Sequence, residues 1–207
     1  MIITKIEKQK RNKNRWSIYT NDEFAVGVSQ DTLLNFGLRI NDEITEDTIK
    51  KLVEYDEYVF AKKGILDFLS YRIRSTAEIR EKLRSKNISP RTSEKVMENL
   101  RELGLINDEE FAVQLIQSYI SKNPLGRKVI LQKLFQKGVP KQICEKVLEN
   151  IFSSLNEKEL AYSNFKKYFP KLRTKDINQK KKKVFDFLAR KGFDFDIINE
   201  IIKENIM

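Results

Sequence analysis

The sequence predicts a mainly α-helical protein: three tandem three-helix repeats in an elongated curved array, preceded by a small β-strand-bearing segment. Three observations predict it. Apolar and lysine positions recur at a constant offset of 51 residues through the middle of the chain. The hydrophobic period changes from 2 to 3.6 near Thr45, and strand signals cease beyond it. The 207 residues hold only seven glycines and four prolines, too few for a loop-rich β protein or a low-complexity chain.

Residues 1–44 read as a β-meander with a short helix. Ile2–Ile6, Trp16–Tyr19 and Phe24–Val28 are rich in β-branched and aromatic residues, with Asn12-Lys13-Asn14 and Asn21-Asp22 supplying turns between them. Ser29 is placed to cap a helix running to Phe36, with Gly37 just past its end.

Repeat 1 is expected over residues 45–106, repeat 2 over 107–153 and repeat 3 over 154–207. The offset of 51 carries Phe60-Ala61 onto Phe111-Ala112, Lys82-Leu83 onto Lys133-Leu134, and Lys86 onto Lys137. An offset of 54 carries Lys137-Gly138 onto Lys191-Gly192 and Val147-Leu148 onto Ile201-Ile202, while the first helix of repeat 3 needs a few inserted residues. A period near 50 is that of a helical array, in which stacking covers faces that one small unit leaves bare.

Local signals mark the helix ends. Ser75-x-x-Glu78 is a capping box, Ser89-Pro90 an N-cap with proline at the first helical position, and Asn107 an N-cap with Glu110 three residues on. Gly104, Lys122-Asn123-Pro124 and Lys137-Gly138 end helices. Apolar stripes at helical spacing, with Cys144 among them, are expected in the core. Tyr71, Tyr119, Tyr162 and Tyr168 could stack on bases, but their spacing favours core packing.

The chain carries 40 Lys and Arg against 30 Asp and Glu, a net +10, which points to a polyanionic partner. A basic track is expected along the middle helices: Arg72, Arg74, Lys82 and Lys86; then Arg127, Lys128, Lys133 and Lys137; then Lys180, Lys181, Lys182, Lys183 and Lys191. The same lysines at helix C-termini would also complement the helix dipole without any partner. Four cations at the start of a helix oppose the dipole and favour an anion.

There is no histidine and one cysteine. That excludes Ser-His-Asp and Cys-His nucleophile pairs and His-containing zinc sites, and it fits a reducing compartment. Asp42-Glu43-x-x-Glu46-Asp47 and Asp108-Glu109-Glu110 fall at expected helix starts, where carboxylates are favoured without a metal. No signal peptide or membrane-length apolar run is visible. The expectation is a soluble, cytoplasmic, monomeric protein without cofactor, metal or catalytic residues.

Arg72-Ile73-Arg74-Ser75 with Glu78-Ile79-x-x-Lys82-Leu83, Leu103 through Ala112, and Gly126-x-Lys128-Val129-Ile130-x-x-Lys133-Leu134-x-x-Lys137-Gly138-Val139 together resemble the RecX family of bacterial regulators. Asn87 stands where the family has glycine, and Asn107 where it has aspartate. The resemblance implies a non-enzymatic modulator of homologous recombination and DNA repair. It would bind the RecA–DNA filament along its groove, inhibit ATP hydrolysis and strand exchange, and bind single- and double-stranded DNA weakly. A helix-turn-helix or architectural DNA-binding protein remains the alternative, with Arg91, Thr92 and Ser93 in the major groove.

Overall fold

The computed structural model describes residues 1–206. Three strands, β1 (Ile3–Lys8), β2 (Arg15–Thr20) and β3 (Glu23–Ser29), precede ten α-helices among the described residues. These are α1 (Gln30–Phe36), α2 (Glu46–Ser70), α3 (Thr76–Ser85), α4 (Pro90–Glu102), α5 (Asp108–Lys122), α6 (Arg127–Gln136), α7 (Lys141–Phe152), α8 (Glu157–Tyr168), α9 (Ile177–Arg190) and α10 (Phe195–Asn205). A 3₁₀ turn, Phe169–Lys171, lies between α8 and α9. The helices group in threes, as the repeat predicts. The chain forms two compact units: one holds Met1–Ile73 and Ile79–Leu105, the other Arg74–Glu78 and the chain from Ile106 onward.

In the first unit the strands form the expected antiparallel meander, in the order β1-β2-β3. Asn21 and Asp22 both have positive φ and close the two-residue turn that joins Thr20 to Glu23, the mirror-image turn that right-twisted hairpins favour. One face buries Ile3, Ile18, Val26 and Val28 together with Ile44 and Leu52. Ser29 caps α1 by accepting from the Thr32 N–H, and Gly37 ends it at φ 60°. Thr45 and Thr48 exchange hydrogen bonds as a capping box at the start of α2.

Asp56 on α2 is the tie between helix and sheet. It is buried, accepts from the Ser29 N–H at 2.6 Å and the Thr32 hydroxyl at 2.9 Å, and pairs with Arg15 at 2.9 Å. Burial alone would raise its carboxyl pKa. The hydrogen bonds from Ser29 and Thr32, with the Arg15 charge, outweigh that and hold it below the ordinary value.

In the second unit the repeats meet at a joint made twice. In the first joint the Ser75 hydroxyl donates to the Lys137 carbonyl at 2.6 Å, and Lys137 Nζ pairs with Glu78 at 3.0 Å. In the second, the Gly126 N–H donates to the Lys191 carbonyl at 2.9 Å, and Lys191 Nζ donates to Asn123 Oδ1 at 2.7 Å. Ser75 and Gly126 are equivalent under the 51-residue offset, as Lys137 and Lys191 are under the 54-residue one. Each joint thus seats a Lys-Gly turn on the start of the preceding middle helix. A Cβ on Gly138 would collide with the Ala77 methyl, and one on Gly192 would lie 2.6 Å from the Val129 nitrogen. Buried Asn164 reinforces the second joint by donating to the Pro124 carbonyl at 3.0 Å.

The insertion in repeat 3 lies between the end of α8 and the end of α9. Helix-start residues Asn107 and Asn156 lie 49 apart, whereas Lys137 and Lys191 lie 54 apart. The 3₁₀ turn and a longer middle helix, 14 residues in α9 against 10 in α6, take up the difference.

Two expectations about aromatic residues need correction. Tyr71 is not core: it sits at the C-cap of α2 and is 84% exposed. Phe60 is 57% exposed, although its repeat equivalent Phe111 is buried. Cys144 and the stripe residues Ala112, Ile116, Ile130, Leu134, Val147 and Leu148 are buried as expected.

Candidate partner-binding surface

The basic residues fall into sets with different surroundings. Lys82 lies over the Phe68 ring at 5.3 Å, and Lys133 over Tyr119 at 5.2 Å. Phe68 and Tyr119 are themselves repeat equivalents, so one lysine–aromatic pair is built twice at the same place. In repeat 3 the lysine is replaced by Phe187, and the pair becomes a stack of Phe187 on Tyr168, 4.0 Å between centroids and 9° between planes.

A second set is engaged with carboxylates. Arg127 pairs with Glu149 and Lys128 with Asp194, each at 2.5 Å, and Lys137 pairs with Glu78. The Arg127 N–H at the start of α6 also donates to Glu157, whose carboxyl burial pushes above the ordinary value despite that bond. Arg72 donates to the Ile73 carbonyl at 2.8 Å, and both Arg72 and Arg74 have interactions within the chain.

The third set forms no ion pair among the described residues. Lys86 is exposed just past α3, and Lys180, Lys181, Lys182 and Lys183 occupy the early turns of α9. Asp176 caps α9, accepting from the N–H groups of Asn178 and Gln179, which serves the helix dipole locally but leaves the lysine charges unmatched. Lys180 leans over Phe169 at 5.7 Å. Lys191 is partly buried; burial first, and then the neighbouring Lys167 charge, lowers its pKa. Residues 166–191 hold eleven Lys and Arg and only two Asp, so this stretch carries nine of the chain's ten net charges. Charge summed over broader segments hides this concentration, because α10 is acidic.

The carboxylate clusters have structural partners. Asp108 accepts from the Thr76 N–H at 2.8 Å, and Glu109 pairs with Lys146 at 2.9 Å. No group of three His, Cys, Asp or Glu among the described residues could hold a metal. No helix among them is long and apolar enough to cross a membrane.

Comparison with known proteins agrees with this frame along nearly the whole chain. Residues 1–45 match the model of the regulatory protein RecX N-terminal domain, and residues 61–100, 107–148 and 156–202 match the first, second and third three-helix domains of RecX. The chain belongs to the RecX family. Regulatory protein RecX of Clostridioides difficile (strain 630) is 30% identical over 203 residues, covering 98% of this chain and 95% of that protein. Regulatory protein RecX of Bacillus subtilis (strain 168) is 34% identical over 203 residues, covering 95% and 74%. Among solved structures, a crystal structure of regulatory protein RecX superposes with a TM-score of 0.76 at 29% identity over 99% of both chains. RecX from Lactobacillus salivarius superposes with a TM-score of 0.66 over 72% of this chain. The strand-bearing head thus matches a RecX domain model of its own, separate from those of the three-helix repeats.

Proposed function

We propose that this RecX-family protein is a non-enzymatic, cytoplasmic regulator that binds the RecA–DNA filament and inhibits its ATP hydrolysis and strand exchange. The observation that carries the DNA half of this reading is the unpaired charge of residues 166–191. A lysine already matched by Glu78 or Asp194 has less to gain from a phosphate than one with no carboxylate nearby. The proposed DNA-facing set is therefore weighted towards Lys180–Lys183 and Lys86. Arg72, Arg74, Lys82, Arg127, Lys128, Lys133, Lys137 and Lys191 form the remainder of the proposed track, in which intramolecular partners already hold several side chains. The filament is named from family membership; the charge distribution supports only a polyanionic component.

The test is ATP hydrolysis by a RecA filament on single-stranded DNA as the protein is titrated in, with DNA binding measured alone at the same salt. Inhibition well below DNA-coating concentrations is the expected outcome. Inhibition only at coating concentrations would replace the filament with the strand as the target. Replacing Lys180–Lys183 by glutamine should reduce the salt slope of single-strand binding by about 0.7 for each phosphate that the variant no longer neutralises. Replacing Arg127, Lys128 and Lys137 instead should leave that slope nearly unchanged.

A further inference from the structure

The first unit contains a cleft of about 590 Å³, well inside the range of small-molecule sites, which runs to about 300–1,000 Å³. It opens where α2, the meander and the end of α3 face one another, and neither the basic stretch of repeat 3 nor any joint contributes to it. Phe60 and Gly64 lie one turn apart on α2 and share a helix face, so both present to the cleft. Glycine in a helix interior is destabilising relative to alanine. At position 64 nothing in the packing demands it: a Cβ there would meet no atom within 4 Å. The missing side chain instead leaves a shelf beside the exposed Phe60 ring, on which a planar group can lie flat.

The other walls carry the polar half of a ligand site. Lys82 and Lys86 line the cleft from the end of α3, four residues apart, and Lys63 lines it from α2. None of the three forms an ion pair among the described residues. Asn12 and Asn14 line the head side with amides that can meet a base edge. The carboxylates of Asp31 and Asp67, also on the lining, can accept from ribose hydroxyls or exocyclic amines. Asp56 is not available, because Ser29, Thr32 and Arg15 already hold it.

From this arrangement we infer a nucleotide-binding cleft, in which the base stacks on Phe60 over Gly64 and the phosphate meets Lys82 and Lys86. The planar shelf and the paired cations on a separate helix match a base and its phosphate. An acidic peptide would need cations along its length rather than at one end. The nucleotide belongs either to a free nucleoside phosphate or to a single strand, and the inference holds whether or not RecA is the target.

Calorimetric titration of the full chain with AMP, dTMP, a short oligothymidylate and a glutamate-rich peptide tests it. Saturable binding of one nucleotide per chain is expected. Phe60→Ala should weaken it by about 5- to 150-fold, the range for one base–aromatic stack. Gly64→Leu should abolish it while holding or raising the thermal midpoint, which separates a filled shelf from an unfolded chain. Oligomer binding alone, lost in Gly64→Leu, assigns the cleft to a strand; mononucleotide binding as well assigns it to free nucleotides. Failure of all three nucleotide probes at millimolar concentration, binding of the peptide alone, or nucleotide binding indifferent to both variants would overturn the inference.

Discussion

Repeats 2 and 3 share one frame and use their cations in opposite ways. In repeat 2, Lys133 covers Tyr119, Lys137 reaches Glu78, and Arg127 and Lys128 each have a carboxylate. In repeat 3 an aromatic replaces the covering lysine, the joint lysine meets a neutral amide, and Lys180–Lys183 crowd the early turns of α9 with no ion pair among the described residues. The 54-residue offset carries Arg127 and Lys128 onto Lys181 and Lys182, so equivalent cations are matched by carboxylates in one repeat and unmatched in the next. Periodicity places the cations, and whether a carboxylate recurs with them decides which are paired: Glu149, the partner of Arg127, falls on Lys203 under the same offset.

The sharpest way to break this comparison is to test the shared joint. A side chain at Gly126 would collide with the Gly192 carbonyl, and one at Gly192 with Val129 at a backbone φ of 90°. Neither neighbour is the loose end of a side chain, so the backbone must shift. Gly126→Ala and Gly192→Ala should each lose about 3 kcal/mol or more, read as the urea midpoint. Gly104, with φ 66° and open space around it, is the control. Gly104→Ala should lose only about 1 kcal/mol, the left-handed penalty alone. Equal losses at all three sites would mean that close packing at the joint contributes nothing.

The fold was legible because its signals are local. Ser29, Ser75, Ser89 and Asn107 each announce a helix start within four residues, and each caps as expected. Asn87, which stands in for a glycine, adopts φ 55° as its place after α3 requires. Pairing was less legible, because Lys137 and Glu78 lie 59 residues apart and the sequence shows only that both exist. Phe60 escaped for a related reason. Its periodicity is identical to that of Phe111, and whether anything covers it depends on how α2 and α3 separate, which no spacing records.

Within the first unit, Asp56 offers a smaller effect with a distinct pH signature. Asp56→Asn keeps an oxygen for Ser29 or Thr32 but removes the charge opposite Arg15, and should lose about 1–3 kcal/mol. The folded carboxyl pKa lies below its ordinary value, so its stabilisation is fully present above the unfolded pKa of about 3.9. It is lost as pH falls from there through the folded pKa. The loss seen on substitution should therefore be constant from pH 5 to 8 and shrink below pH 4. A difference that grew on acidification would contradict the assignment of Asp56 as a charged tie.

The smallest expected effect bears most directly on why the repeats differ. Phe187→Lys would rebuild in repeat 3 the lysine–aromatic pair that repeats 1 and 2 carry, setting an ammonium over Tyr168 in place of a ring. The lost stack is worth about 0.5–1.5 kcal/mol, and a partly exposed cation over a ring returns about 0.5–1. Repulsion from the cations around α9 opposes that return, so the net loss should stay near 1 kcal/mol at low salt. Because the opposing part is electrostatic, it should shrink as salt screens the neighbours. Stability of Phe187→Lys should then approach that of the unsubstituted protein as salt rises, while the reciprocal Lys133→Phe, in the charge-matched surroundings of repeat 2, should show little salt dependence. If both variants responded alike to salt, the unmatched charge around α9 would be no denser than that around α6, and the contrast between the two repeats would fail.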